Sequence, residues 1–134
     1  MGYRSEVATM YVFPTKEKRD TWWADVLMTY GNSAEDMDTL KDLKKGNAGG
    51  EDYWLYHFYG NSIKWYGGWE VVLESIRALA VQHGGAWVFC RVGEEHDDIQ
   101  YEHGSHDDFD YIDPSEFIQP ITTISIETTV EPEE

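Results

Sequence analysis

The sequence predicts an α+β sandwich in which two main helices pack on an antiparallel-rich sheet. Three observations carry that expectation. Apolar residues recur at helical spacing in two stretches, Trp22 to Tyr30 and Trp69 to His83. Short runs rich in β-branched and aromatic residues lie around them. Glycine, proline and capping residues stand where such elements end.

Val7 to Phe13 reads as a strand because β-branched and aromatic residues fill it and Pro14 stops it. Thr15 is placed to cap the helix that follows, whose apolar stripe is Trp22, Trp23, Val26, Leu27 and Tyr30. Gly31 and Asn32 end it. Ser33 with Asp36 offers a capping box to a short extra helix, with Met37, Leu40 and Leu43 on one face. Lys41, Lys44 and Lys45 suit the negative end of that helix dipole, Gly46 is its stop, and 47–50 is expected to be a loop.

Tyr53 to Tyr59 and Ile63 to Tyr66 read as two strands of a hairpin turning at Gly60-Asn61-Ser62. After Gly67 and Gly68, the residues Trp69, Val72, Leu73, Ile76, Leu79, Ala80 and His83 form an amphipathic stripe, with Glu70, Glu74 and Arg77 on the outer side. Gly84-Gly85 closes this helix. Ala86 to Val92 is almost wholly apolar, as a central strand covered on both faces would be. Ile99 to His103 and Ile121 to Val130 supply the last strands. The first six main elements thus have ferredoxin-like order, β-α-β-β-α-β, with C-terminal acidic strands and loops extending the sheet edge. Residues 1–130 are expected to form one domain and 131–134 a frayed acidic end.

Charge is the strongest functional signal. The last 43 residues, Val92 to Glu134, carry 14 acids and no lysine or arginine. The other 91 residues carry 12 acids and 10 bases, so nearly all of the net charge of −16 sits in one third of the chain. Such a field repels nucleic acid and anionic membranes and draws basic surfaces from a distance. A disordered acidic chain would be poor in aromatics. This segment instead keeps Tyr101, Phe109, Tyr111, Ile112, Phe117, Ile121, Ile124 and Ile126, so its carboxylates are expected on folded structure.

Cys90 stands alone in the apolar run and is expected to pack as a small core residue. Residues 1–13 lack the basic start and long apolar region of a secretory signal, and no run reaches the ~20 apolar residues that span a bilayer. The expected location is intracellular.

Met1-Gly2-Tyr3-Arg4-Ser5-Glu6-Val7, the Ile63-Lys64-Trp65-Tyr66 run, and Phe89-Cys90-Arg91-Val92-Gly93-Glu94-Glu95 through Asp97-Asp98-Ile99 occur together here. By these scattered motifs, over about residues 1–102, the chain resembles a family of small tailed-bacteriophage accessory proteins. The acidic end is longer than is usual for that family. The resemblance implies no activity or catalytic residue. It implies a context in which small proteins bind and block host machinery, defence complexes included.

Each candidate site has a plain alternative. Glu94, Glu95, Asp97, Asp98, Glu102, Asp107, Asp108, Asp110, Asp113 and Glu116 are the candidate partner-binding charges. Residues two apart on a strand face the same way at ~6.7 Å, so ordered carboxylates form a line of negative charge, as a DNA strand does. The plain alternative is a solvated surface that keeps the protein soluble. His96, His103, His106, Asp107, Asp108 and Asp110 have metal-ligand chemistry but fit neither zinc spacing nor a calcium loop, so no metal or other cofactor is expected. No phosphate loop, nucleotide fingerprint or nucleophile elbow is present, and His57 and His83 read as packed histidines. Trp54, Tyr56 and Phe58 should share one face of their strand and Tyr53, Leu55, His57 and Tyr59 the other. Trp65 and Trp69, beside paired glycines, are candidate interface anchors.

These readings together favour a non-enzymatic phage accessory protein. Its acidic surface would occlude the basic nucleic-acid-binding groove of a host complex, of CRISPR or restriction type for example, without touching nucleic acid itself. A binding module that uses the aromatic sheet for a protein or small molecule is the alternative, and a divalent-metal-dependent enzyme the third.

Overall fold

The computed structural model describes residues 5–34, 37, 40, 43–48, 53–63, 67–93, 99–106, 118–120, 124–126 and 131–132. The elements run β1 (Ser5–Phe13), α1 (Lys16–Tyr30), β2 (Lys44–Ala48), β3 (Tyr53–Ile63), α2 (Gly67–Gln82), β4 (Ala86–Gly93) and β5 (Ile99–Ser105). Three short strands follow, β6 (Ile118–Pro120), β7 (Ile124–Ile126) and β8 (Glu131–Pro132). Six strands form one antiparallel sheet in the order β5-β4-β1-β3-β2-β8, and β6 pairs with β7 in a small second sheet. The inner four, β4-β1-β3-β2, give a ferredoxin-like α+β sandwich. β1 and β2 both run antiparallel to β3 and are therefore parallel to each other, and the crossover between them contains α1. β3 and β4 are related in the same way through α2.

Local chemistry sets the helix ends. The Thr15 hydroxyl accepts from the Lys18 N–H at 3.1 Å and caps α1. After α2, Gly84 has φ +82°, its N–H reaches Val81 O at 3.1 Å, and the Gly85 N–H reaches Ala80 O at 2.9 Å. Those two bonds are a Schellman stop, which wants glycine at the left-handed position. Gly85 is required for another reason: a Cβ there would lie 2.4 Å from the Phe13 ring.

Two expectations are corrected in the middle of the chain. Ala34, Met37 and Leu40 are helical, as expected for the short extra helix. Lys44 and Lys45 do not end that helix; with Gly46, Asn47 and Ala48 they form β2, paired residue for residue with Tyr53 to His57. Lysine, glycine, asparagine and alanine are poor strand formers, so this strand owes its conformation to its neighbour. The hairpin at Gly60-Asn61-Ser62 is absent, because β3 continues through it to Ile63. Between the pairs Ser5↔Ile63 and Val7↔Gly60, β3 carries one residue more than β1. The glycine marks a bulge, the other common use of glycine in a strand. β2 thereby fills the place of the missing hairpin strand and the element order survives.

Both sheet faces are packed. On the helix side Tyr11, Phe13, Trp22, Val26, Leu40, Leu43, Tyr56, Ile76 and Ala80 form one core. Trp22 is its hub, 5.0 Å from the Tyr11 ring and 5.2 Å from Phe13, with its indole N–H on Ile76 O at 3.2 Å. On the opposite side Ala8, Met10, Val12, Leu55, Ala86, Val88, Cys90 and Val92 form the other. β6 lies against β4 and β5, and β7 against β1 and β4. β6 and β7 therefore lie over the face that the helices leave bare. β4 is central and buried on both sides, as its apolar run implies.

Of the last strand expected at 121–130 the described part, Ile124–Ile126, is strand β7, paired with β6 at Ile118–Pro120. Glu131 and Pro132, expected to fray, pair with Asn47 and Gly46. Among the described residues no helix is long and apolar enough to cross a membrane.

Candidate functional site

The acidic third leaves the sheet through β5. Every residue from Ile99 to Ser105 pairs with β4, in register from Val92↔Ile99 to Ala86↔Ser105. Beyond the strand, the His106 N–H donates to Gly85 O at 2.9 Å. Gly104 admits the Trp87 indole, since a Cβ there would stand 2.7 Å from its Nε1. The start of the acidic segment is thus fixed by backbone pairing and by an aromatic side chain. Its later parts return to the sheet at β6, β7 and β8.

Of the ten candidate charges only Glu102 falls among the described residues. Glu94, Glu95, Asp97, Asp98, Asp107, Asp108, Asp110, Asp113, Glu116 and the anchor candidate Trp65 lie outside them, and Trp69 belongs to α2. Residues opposite one another in an antiparallel pair share a face. Glu102 is opposite Phe89 and so points to the helix side. There its carboxylate lies 3.7 Å from the Arg77 guanidinium, accepts from Gln100 Nε2 at 3.2 Å, and remains about half exposed, at 46%. Gln100 in turn accepts from Arg91 Nε at 3.3 Å. Part of the Glu102 charge is therefore offset within the molecule.

Arg77 corrects the sequence reading. Placed on the outer side of its helix by periodicity, it is buried, with its guanidinium 4.4 Å from the Trp87 ring and 4.8 Å from Phe89. A planar, weakly hydrated guanidinium can stack on rings and still reach a carboxylate. Arg19 behaves alike. It is fully buried under α1, 2.8 Å from the Asp20 carboxylate, 3.4 Å from Gly46 O, and over the rings of Trp54 and Tyr56. Periodicity assigns charged residues to solvent, so neither arginine could be found from it.

The histidines divide. His103 is exposed on β5 beside Tyr101, and His106 is half-buried; His96, Asp107, Asp108 and Asp110 lie outside the described residues. Among the described residues no three His, Cys, Asp or Glu side chains come together as metal ligands. His83 Nε2 lies 2.9 Å from Asp25 Oδ2 and joins the end of α2 to α1, a pairing that no sequence signal announced. His57 lies on the face opposite the helices between Met10 and Lys44. Its Nδ1 is buried without a hydrogen-bond partner, and burial, aided by the Lys44 charge, holds its pKa below the ordinary 6.5. Cys90 is fully buried, and burial with the Glu6 carboxylate pushes its thiol up to about 11, far from the range of a nucleophile.

The aromatic strand β3 divides as its alternation implies. Tyr56 and Phe58 pack with the helix-side core, and Tyr53 and Leu55 with the opposite core. Trp23 stacks on Tyr56 at 4.3 Å. Tyr59 stays 44% exposed and donates its hydroxyl to Glu6 at 2.9 Å. With both faces of the strand engaged, little of this aromatic surface is left for a ligand. No family model, characterised protein or solved structure matches the chain.

Proposed function

We propose that this is a non-enzymatic tailed-phage accessory protein that binds and inhibits a host nucleic-acid-handling complex, a defence complex of CRISPR or restriction type among the candidates. Its acidic third would fill the basic groove that otherwise holds DNA or RNA. One observation carries the reading: the segment richest in carboxylates is tied to the sheet at β5, β6, β7 and β8, not attached at one end alone. Charge held on a scaffold can reproduce a spacing, whereas a solvated tail can only attract. Electrostatic attraction would speed encounter, and apolar contact would slow release.

The test is capture from host lysate on immobilised protein, with and without nuclease, followed by titration of the captured complex against salt. Capture should survive nuclease, and affinity should fall as salt rises. Lysine at Asp97, Asp98, Asp107 and Asp108 should weaken inhibition and flatten the salt dependence. Undiminished inhibition by that variant would rule the proposal out.

A further inference from the structure

The basic residues have a location of their own. Of the ten lysines and arginines, Lys16, Arg19, Lys44 and Lys45 lie on or beside β2, whereas the Lys18 side chain turns to Gly84 at the end of α2. All but Arg19 are exposed. Lys16 stands over the Trp54 ring at 5.8 Å, and Trp54 is paired with Asn47 of β2. Glu17 and Asp20 also lie there, Asp20 bound to Arg19. β2 is held from two directions, by β3 along all five of its residues and by Arg19 at the Gly46 carbonyl. It is a preformed strand with a basic margin.

Among the described residues its outer edge pairs at two positions only. β8 pairs with Gly46 and Asn47, and Lys44, Lys45 and Ala48 have register partners on the β3 side alone among the described residues. One of the two β8 residues is Pro132, which has no N–H to give a ladder. A two-residue strand contributes little by itself. Three of the four residues 131–134 are glutamates. An acidic extended segment already sits on a basic edge.

We propose that the outer edge of β2 is a strand-docking site for an extended acidic peptide, and that Glu131–Pro132 is its resident, displaceable occupant. Main-chain pairing would supply affinity, and the lysines would select for acid. The net charge of −16 does not forbid this, because charges more than ~8 Å away are largely screened at physiological salt, which leaves the local lysines dominant. The site shares only β8 with the ties of the acidic segment, and the lysine substitutions at Asp97, Asp98, Asp107 and Asp108 leave it untouched.

The test uses the full 15N-labelled chain and a synthetic peptide with the sequence of residues 127–134, followed by NMR. Saturable shifts should appear at Lys45, Gly46, Asn47 and Ala48. The same peptide with lysine for glutamate should give none. The K44E/K45E variant should bind about tenfold more weakly, as two exposed charge contacts imply. An E131K variant, whose resident strand sets a like charge against the lysines, should bind more tightly than wild type. Absence of shifts in both wild type and E131K would overturn the proposal, as would shifts confined to other surfaces. A dimer by sedimentation that K44E/K45E dissociates would also overturn it, in favour of exchange of this strand between two copies.

Discussion

The two faces of the central sheet are packed with different materials. On the helix side the core is made of large rings, Tyr11, Phe13, Trp22 and Tyr56, with Arg19 and Arg77 stacked among aromatics. On the other side it is made of small and aliphatic groups, Ala8, Met10, Val12, Val88, Cys90 and Val92, with β6 and β7 laid across. Rings bury more area per residue and interlock through two helices, so the first face should dominate stability. The second presents a smoother surface to the layer above it. One side of the sheet is a foundation, and the other carries β6 and β7 of the acidic third.

The comparison predicts unequal costs for equal kinds of damage. Trp22→Ala removes the hub and its hydrogen bond to Ile76, and should cost about 3–5 kcal/mol in urea unfolding. Val88→Ala, on the opposite face, should cost only ~2 kcal/mol, the transfer energy of the lost methyls. If Val88→Ala costs as much as Trp22→Ala, the C-terminal layer is as integral as the helices and the contrast fails.

A smaller effect comes from pH. His57 lies on the small-residue face, and burial lowers its pKa in the fold. Below pH 6.5 the unfolded chain therefore takes up a proton that the folded chain resists. Stability from this site should be complete above pH 6.5 and decline as pH falls below it. Melting curves of wild type and His57→Gln between pH 7.5 and 5 isolate the term, since the variant should lose less on acidification. Equal losses would place His57 in an environment like water.

Much of this fold can be read from residue order, and the failures have physical causes. The stripes of α1 and α2 and the apolar run of β4 declare themselves because one periodicity or one long burial accounts for them. β2 does not, because Lys44-Lys45-Gly46-Asn47-Ala48 has helix-end chemistry and takes strand form only through β3. Gly60 looked like a turn and is a bulge, a difference settled by register with β1. The interleaved isoleucines and aromatics of the acidic region pointed to ordered structure, and its described parts, β5 to β8, are strands. That it returns across the sheet face, and not only along its edge, depends on contacts distant in sequence. Of the candidate site itself only Glu102 can be compared, and its pairing with Arg77 was hidden by the stripe rule.

The central claim is that the acidic third is a layer on the sheet, and Cys90 reports on it directly. Its thiol lies on that face, fully buried, with its pKa pushed up to about 11. The rate of thiol labelling at pH 8 should be very slow in the full chain. It should rise by at least about tenfold when residues 107–134 are deleted, provided that circular dichroism shows the helices intact. Rapid labelling of the full chain, or no change on deletion, would contradict the account and return the acidic segment to a tail.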